Sequence, residues 1–396
     1  MQVKTMLPVW IRTADYAGGN VIELLPGGKP FFEVLEALIL AAREEIHFQV
    51  YILNTDETGT RVLGLLKDAV RRGVAVYLLL DAFGSSTLSK KAIREIQDSG
   101  IHFRLFSPFF SKNLSVGRRM HHKIVVVDAR VFLVGGMNIA DRYNDMPEQR
   151  AWLDFAVQVS GPLARQAQER CLQLWQKKPW MRLKPSPAHP EPMLARLRVN
   201  DWLRGKSEIT AGLRKAIRQA KSSIVIAAAY FIPPRSLMTE LRKATQRGVE
   251  VRILLGQASD VLLAEMATRY LYDWMLKNHI HIYEWTPTVM HAKVMVVDGV
   301  WVSLGSFNLN FLSMFESVEL NVEVADAAFA QHTSAMLERI MATECEPVTK
   351  QVYLSRYRWL RRAVDWFGFV VLWLLAHVFF FLDKKSKRPK GEPGPF

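Results

Sequence analysis

Two segments of the chain combine histidine, lysine and aspartate at the same spacing. They read HHKIVVVD at 121–128 and HAKVMVVD at 291–298. In a strand, residues i and i+2 project from one face. The basic side chains are therefore paired by face: His121 with Lys123, and His291 with Lys293. A lysine ammonium suits a phosphate oxygen, and an imidazole can attack phosphorus or protonate a leaving oxygen. The pattern predicts phosphodiester chemistry with two histidines flanking one phosphoryl group.

A glycine and an asparagine follow each segment in one register: Gly135 with Asn138, and Gly305 with Asn308. Backbone amides near the glycines, together with the asparagine amides, could hold further phosphate oxygens. Asp128 and Asp298 end the segments and are kept as catalytic candidates. An aspartate at a strand end is often a turn former, so a half-structural role is the better expectation for both. One such segment is a weak motif, but two copies in register are very unlikely to be accidental.

The elements that must position these residues are themselves repeated. Each half has a strand, at 45–53 and 222–232, followed by a helical stretch with apolar residues three and four apart. Each helical stretch ends in Arg-Gly, and a buried strand follows directly. The sequences are RRGVAVYLLLD in the first half and QRGVEVRILLG in the second. A further similar segment comes next in each half, IHFRLFSP in the first and IHIYEWTP in the second. Strands that alternate with helices predict an α/β sandwich in each half.

Composition sets the class of partner. The 396 residues are too many for one ordinary core, and the net charge of +14 favours an anionic partner, either nucleic acid or an anionic lipid surface. Two isolated cysteines predict neither a disulfide framework nor a zinc site, which suits a reducing compartment. The first residues do not have the pattern of a signal peptide, so we expect none. No carboxylate cluster or HExxH pattern argues for a metal, so we expect a site without metal or cofactor.

HHKIVVVD…GGMN and HAKVMVVD…GSFN resemble the paired HKD motifs of the phospholipase D superfamily, over most of residues 20–345. GGMNIADRYN, RAWLDFAVQVSGP, AYFIPP and RGVEVRILL are similar to the bacterial cardiolipin synthase branch. The resemblance implies two pseudo-symmetric α/β/α lobes with one active site between them. It also implies a phosphohistidine intermediate and transphosphatidylation: one phosphatidylglycerol gives up its phosphatidyl group, glycerol leaves, and a second phosphatidylglycerol accepts the group.

The resemblance further implies a carboxylate that orients each histidine through its other ring nitrogen. The matching positions are Asp154 in WLDFAVQVSG and Glu319 in VELNVEVAD. Precedent in the family favours His121 as nucleophile and His291 as acid and base. Two positions depart from many relatives: Gly136 replaces the serine that Ser306 supplies in the second half, and Gln49 replaces a glutamate. Ser306 joins the two asparagines as a candidate phosphate-binding residue.

The C-terminal region predicts membrane association. Residues 366–382 are almost continuously apolar and have basic residues on both sides. Seventeen helical residues reach only about 25 Å, the short limit for a bilayer, so an interfacial or re-entrant anchor is at least as well supported as a span, and a buried core helix is the alternative. The loop at 107–120 is a second membrane candidate or a solvated loop.

These observations divide the chain into a first lobe at 1–185, a second lobe at 186–350 and an anchor with a basic tail at 351–396. The expected partners are phospholipid substrates and an anionic membrane surface, not nucleic acid, at the cytoplasmic face of the cell membrane as a peripheral or monotopic protein. The oligomeric state is left open.

Several other activities share the same motifs. A phospholipase that uses water, a phosphatidylserine synthase that uses serine, and a nuclease all fit paired HKD segments, and phosphatidylethanolamine could serve as donor. Acceptor choice depends on pocket shape and water exclusion, which the motifs do not encode. The apolar C-terminal segment disfavours the nuclease. Two intact motifs disfavour a catalytically dead membrane scaffold.

Overall fold

The computed structural model describes residues 7–107, 118–181, 193–310, 317–356 and 359–382, with side chains as far as residue 375. The chain forms two mixed α/β lobes, each built on one sheet. The predicted boundary between the lobes, at 185–186, lies outside the described residues, as does most of the loop at 107–120.

The first lobe is built on a seven-stranded sheet with the order β1-β8-β7-β6-β2-β3-β4. Its strands are β1 (Val21–Pro26), β2 (Glu45–Val50), β3 (Ala75–Asp81), β4 (His102–Phe106), β6 (Lys123–Val127), β7 (Val131–Gly135) and β8 (Phe155–Ser160), and the short β5 (Arg119–Met120) lies between β4 and β6 in the chain. Its helices are α1 (Lys29–Ala41), α2 (Glu57–Arg71), α3 (Lys90–Asp98) and α4 (Pro162–Trp175).

The second lobe repeats this plan with the order β10-β9-β16-β15-β14-β11-β12-β13-β17, and β5 of the first lobe adds to β16. Its strands are β9 (Leu194–Asp201), β10 (Lys206–Ser207), β11 (Ser223–Ala228), β12 (Glu250–Gly256), β13 (Ile280–Trp285), β14 (Lys293–Val297), β15 (Trp301–Gly305), β16 (Ser317–Ala325) and β17 (Cys345–Val348). Its helices are α5 (Glu208–Gln219), α6 (Arg235–Gln246), α7 (Leu262–Tyr270), α8 (Tyr272–Lys277), α9 (Ala327–Thr343), α10 (Lys350–Arg356) and α11 (Trp359–Leu382).

The repeated strand–helix–strand unit predicted from sequence is confirmed in both lobes. β2, α2 and β3 correspond to β11, α6 and β12, and each strand pair is parallel. Both connecting helices stop at the predicted glycine: Gly73 has φ +90° and Gly248 has φ +85°. A left-handed backbone at these positions ends a helix at little cost only when the residue is glycine.

β6 and β14 are buried on both faces, and their alternating side chains enter different cores. Ile124 and Val126 of β6 pack into a core shared by both lobes, whereas Val125 and Val127 pack beneath α1 and α2. β14 divides in the same way between the shared core and a core beneath α5 and α6. Because α4 and α9 belong to the shared core, the two sandwiches have a helical layer in common.

Residues 1–185 were predicted to form the first lobe, but residues within 7–17 pack on the second. Ile11 and Tyr16 are buried in the core of the second lobe, where the Tyr16 hydroxyl lies 3.2 Å from Nε1 of Trp301. Ala17 forms a bridge with Ala195 of β9. The chain therefore crosses the second lobe before it enters β1, because the apolar side chains of this short segment find their burial there.

Helix α11 packs on α7 of the second lobe. Asp365 is buried and lies 3.3 Å from the Arg269 guanidinium, and Leu372 is also buried. Gly368 lies so close to Met266 that an added Cβ would come within 2.6 Å of the Met266 Cβ. Large apolar side chains on the outer face are exposed, including Trp359 at 75% and Phe367 at 60%. Within the described residues, no helix is both long and apolar enough to cross a membrane.

Candidate active site

The two motif histidines lie immediately before β6 and β14, and each is fixed by the backbone of the other lobe. The amide of His121 donates to the carbonyl of Val318 at 3.0 Å, and the amide of His291 donates to the carbonyl of Leu153 at 2.8 Å. In both cases the accepting residue is followed in the chain by a carboxylate residue. These backbone contacts bring each histidine to a carboxylate that is far away in sequence.

The two carboxylates are Glu319 and Asp154, and each contacts one imidazole. Nδ1 of His121 lies 3.0 and 3.1 Å from the two oxygens of Glu319, and Nδ1 of His291 lies 2.7 Å from Oδ2 of Asp154. Both carboxylates are essentially inaccessible to solvent. Since an imidazole that donates from Nδ1 keeps the lone pair on Nε2, this geometry leaves Nε2 of each histidine able to act as a nucleophile or base.

The pairing exchanges partners between the lobes. His121 comes from the first lobe and Glu319 from β16 of the second, whereas His291 comes from the second lobe and Asp154 from the residue before β8 of the first. Neither lobe alone therefore holds a histidine together with its carboxylate.

Ser306 and Gly136 stand at equivalent positions but meet the carboxylates differently. The Ser306 hydroxyl donates to Oε2 of Glu319 at 2.5 Å and accepts from the Leu320 amide at 3.1 Å. The Ser306 hydroxyl therefore supports the Glu319 carboxylate, and its predicted contact with phosphate stays a prediction. At Gly136 a Cβ would lie 2.3 Å from Oδ2 of Asp154, which explains why glycine replaces serine there.

Lys123 and Lys293 are buried beside the histidines. Nζ of Lys123 donates to the His121 carbonyl at 2.5 Å, and Nζ of Lys293 donates to the His291 carbonyl and lies 2.9 Å from Nδ1 of the same residue. Burial lowers the pKa of Lys123 to about 7 and that of Lys293 to about 8, with neighbouring carboxylates opposing the shift. A bound phosphodiester anion would restore the protonated form of both amines.

Burial also shapes the titration of the histidine–carboxylate pairs. It lowers the pKa of His121, with Glu319 opposing the shift and Lys123 adding to it. It lowers the pKa of His291 well below the usual value, and Lys293 lowers it further. Burial raises the pKa of Asp154 to about 7. At neutral pH this buried environment therefore favours neutral imidazoles, the form that can attack phosphorus.

The two asparagines differ in how their amides are bonded. Oδ1 of Asn138 accepts from the Ile52 amide at 3.0 Å, and its Nδ2 donates to the Tyr143 hydroxyl at 2.9 Å. Asn308 is also buried, but its Oδ1 has no hydrogen-bond partner in the part of the chain that the structure describes. Asn138 already supports the site, whereas Asn308 has unused hydrogen-bonding capacity.

Asp128 and Asp298, predicted as catalytic candidates, lie at the ends of β6 and β14 that are remote from the histidines. Seven strand residues of about 3.3 Å each place Asp128 roughly 20 Å from His121 along the chain. Its carboxylate accepts backbone amides of residues 43–45, and that of Asp298 accepts those of residues 221–223. Both have positive φ, 52° and 53°. They brace the turn at the far end of β6 and β14.

Several aromatic residues around the histidines were not predicted. The Tyr51 ring lies 5.0 Å from the His121 ring, and the Tyr143 ring lies 5.3 Å from the His291 ring. The Tyr230 hydroxyl donates to Asp260 at 2.5 Å. YIL and YFI follow β2 and β11, which was an available signal, but the two tyrosines are offset by one position in the strand registers and so do not occupy equivalent sites.

Gln49, the second departure from many relatives, has a polar structural role. Its Oε1 lies 2.9 Å from Nε2 of His122, and its Nε2 donates to the Cys171 carbonyl at 2.9 Å. Burial lowers the pKa of His122 to about 3, so this histidine is neutral and needs an uncharged acceptor. The amide satisfies it without placing a second buried charge beside Lys123.

The sequence is similar to those of known cardiolipin synthases. The family model described as the PLD-like domain of cardiolipin synthase matches residues 35–175 and 213–341. Cardiolipin synthase B of Escherichia coli K12 is 31% identical over 376 residues, covering 91% of each chain. The major cardiolipin synthase ClsA of Bacillus subtilis is 30% identical over 363 residues, covering 88% of this chain and 74% of the relative.

Solved structures share the fold at low sequence identity. Phosphatidylserine synthase of Haemophilus influenzae superposes with a TM-score of 0.70 at 15% identity, covering 88% of this chain and 93% of that one. Polyphosphate kinase of Porphyromonas gingivalis superposes with a TM-score of 0.58 at 13% identity, covering 84% of this chain and 49% of that one.

Proposed function

The chain belongs to the cardiolipin synthase family of phospholipase D-like enzymes, and we propose that it joins two phosphatidylglycerols into cardiolipin through a phosphohistidine. The observation that carries the proposal is the pair of histidines, His291 buried and His121 partly buried, each bonded through Nδ1 to a carboxylate of the other lobe. This arrangement supplies one nucleophile and one acid for a single phosphodiester, with a lysine beside each.

In the first half-reaction, Nε2 of His121 attacks phosphorus of the donor. The bond between phosphorus and the glycerol oxygen breaks, and the leaving oxygen takes a proton from the His291 imidazolium. Glu319 stabilises the positive charge that develops on His121. The negative charge of the bound phosphodiester favours the protonated form of His291, which burial and Lys293 disfavour.

In the second half-reaction, His291 accepts the proton of a hydroxyl group on the second phosphatidylglycerol. The hydroxyl oxygen attacks phosphorus, and the bond from phosphorus to His121 breaks. Lys123 and Lys293 hold the phosphoryl oxygens through both steps, and Nδ2 of Asn308 donates a further hydrogen bond. Electrostatic stabilisation by preorganised donors of this kind is commonly the largest single contribution to such catalysis.

We also propose that the outer face of α11 lies in the interfacial region of the membrane, at the cytoplasmic face. Trp366 and Phe367 are more than half exposed, and their burial among lipids would remove a large apolar area from water. The variant Trp366→Ser/Phe367→Ser should float with phosphatidylglycerol vesicles at least about tenfold less than the wild type, because each aromatic side chain contributes roughly 1.5–3 kcal/mol on burial. Leu40→Ser, at an exposed position of α1, is the matched control. Equal flotation of both variants would contradict the assignment.

The experiment that tests the enzymatic proposal follows products from phosphatidylglycerol labelled in its glycerol headgroup and in its acyl chains. In mixed micelles the protein should release glycerol and form cardiolipin, with and without EDTA. Phosphatidic acid as the sole lipid product would assign a hydrolase instead. Absence of any lipid product would refute the proposal.

A further inference from the structure

A cavity of about 660 Å³ lies between α11 and the second lobe, outside the histidine site. Its walls include the aromatic side chains of Trp274, Phe369 and Trp373, and Arg235 and Arg362 contribute guanidinium groups. An apolar cavity with cationic groups at its boundary has the chemistry of a site for an anionic amphiphile, in which a hydrocarbon chain is buried and a phosphate stays beside the arginines.

The charge balance in the cavity favours an anion despite two acidic residues in its lining. Asp365 is paired with Arg269 at 3.3 Å, and Asp273 is paired with Lys277 at 2.6 Å. Within the described part of the chain, no ion pair involves the guanidinium of Arg235, which is exposed at the start of α6. A positive charge without a protein partner therefore remains at the cavity.

A short stretch of chain after β11 runs from the histidine site to the cavity. The amide of Ala229 donates to the carbonyl of Ala292 at 2.8 Å, directly beside His291. Ile232, three residues further on, lines the cavity. Three extended residues span roughly 10 Å at most, so the cavity begins within the length of one phospholipid from the reacting histidine.

We propose that this cavity binds the acceptor lipid, with an acyl chain between α8 and α11 and the unreacted phosphate at Arg235 and Arg362. The inference rests on the proposed function, because that reaction needs two phosphatidylglycerols at once. The donor phosphate occupies the histidine–lysine site, so the phosphate of the acceptor needs a second anion site. From the cavity, the glycerol headgroup of the acceptor reaches the phosphohistidine, and α11 becomes part of the lipid-binding site.

The test separates the two half-reactions. Ala363→Trp places an indole in the cavity lining, and Arg235→Glu reverses the free charge. The matched controls are Val364→Trp, at the next and partly exposed position of α11, and Arg242→Glu, on an exposed part of the same helix as Arg235. Glycerol release reports use of the donor, and cardiolipin formed per glycerol released reports use of the acceptor.

The two cavity variants should release glycerol at rates within about twofold of the wild type but form about tenfold less cardiolipin per glycerol, as loss of one charged contact or of acyl-chain burial predicts. Phosphatidic acid, from attack by water, should take its place. The two controls should behave like the wild type. An unchanged ratio in both cavity variants, or an equal fall in the controls, would overturn the proposal.

A binding measurement keeps the inference separate from the activity. Phosphatidylglycerol with a photoreactive acyl chain should label peptides that contain Trp274 or Phe369 in the wild type, and this labelling should fall in Ala363→Trp. Unlabelled phosphatidylglycerol should compete, whereas inorganic phosphate should not. Competition by phosphate alone would indicate an anion site without an acyl-chain site and would overturn the proposal. If the wild type releases no glycerol, the proposed function fails, while the labelling still decides whether the cavity binds lipid.

Discussion

Replacement of Glu319 by glutamine tests the role of the carboxylate that crosses between the lobes. Glu319 contacts Nδ1 of His121 through both oxygens. The glutamine side chain that replaces it can take two orientations. If its oxygen faces His121, the imidazole keeps its tautomer but loses a charge-assisted hydrogen bond of roughly 1.5–3 kcal/mol, a ten- to hundredfold effect. If its nitrogen faces His121, Nδ1 must accept, Nε2 becomes protonated and the nucleophile is lost, as in the roughly 10⁴-fold effect of a carboxylate-to-amide change in a serine protease triad.

We therefore expect Glu319→Gln to lower the rate of glycerol release between about tenfold and 10⁴-fold. Because the amide is isosteric and carries no buried charge, the free energy of unfolding should change by no more than about 1 kcal/mol. Glu323→Gln is a matched control on the same strand. Glu323 is equally buried, but it pairs with Arg196 at 2.6 Å and not with a histidine. Its variant should lose stability and keep its activity per folded molecule.

The assay is single-turnover release of labelled glycerol, with urea unfolding of each variant measured in parallel. A rate for Glu319→Gln within about twofold of the wild type would refute the role given to the carboxylate. An equal loss of activity in Glu323→Gln would show that any buried charge on this strand matters, and would refute the specific assignment as well.

Three further predictions concern other parts of the site. Gly136→Ser should lower activity about a hundredfold, because the new Cβ must displace the Asp154 carboxylate. Circular dichroism should show that the variant still folds. Activity close to that of the wild type would contradict the prediction, because it would mean that the Asp154 carboxylate moves aside without loss of function. Asp298→Ala should lower the free energy of unfolding, measured in urea, by about 2–4 kcal/mol because it leaves several backbone amides without an acceptor. Activity per folded molecule should stay unchanged, and a large fall in that activity would support a catalytic role for Asp298. The pKa of Lys123 is about 7 in the folded protein and near 10.5 in the unfolded chain. Because the unfolded chain binds more protons between these values, the free energy of unfolding should rise with pH from 7 towards 10.5. Lys123→Met should flatten this pH dependence, and an equal slope in both proteins would contradict the prediction.

The parts of the site that depend on local pattern were predictable. The period of two along β6 and β14 placed each histidine beside its lysine, and the repeated Arg-Gly pairs located the helix ends. The two carboxylates were identified through the family resemblance and not from spacing. Glu319 is separated from His121 by 198 residues, and no local signal links them.

Three features of the structure depend on tertiary contacts that the local sequence does not encode. Asp128 and Asp298 recur at the same spacing from the histidines because β6 and β14 have the same length. That strand length also places the aspartates at the opposite end of the strand from the histidines. Ser306 has a hydroxyl that could contact phosphate, and only the three-dimensional position of Glu319 shows where its proton goes. The burial of Ile11 and Tyr16 in the second lobe likewise depends on tertiary contacts, because a short apolar segment does not encode its partner.

The exchange of carboxylates between the lobes has a consequence during synthesis. The first lobe leaves the ribosome before the second, and domains generally fold in the order of their synthesis. At that stage His121 has no Glu319 to orient it and no His291 to protonate a leaving group. The first lobe alone therefore lacks a complete histidine–carboxylate site. A complete site forms only when the second lobe docks, so phosphatidyl transfer cannot start before both lobes are folded and assembled.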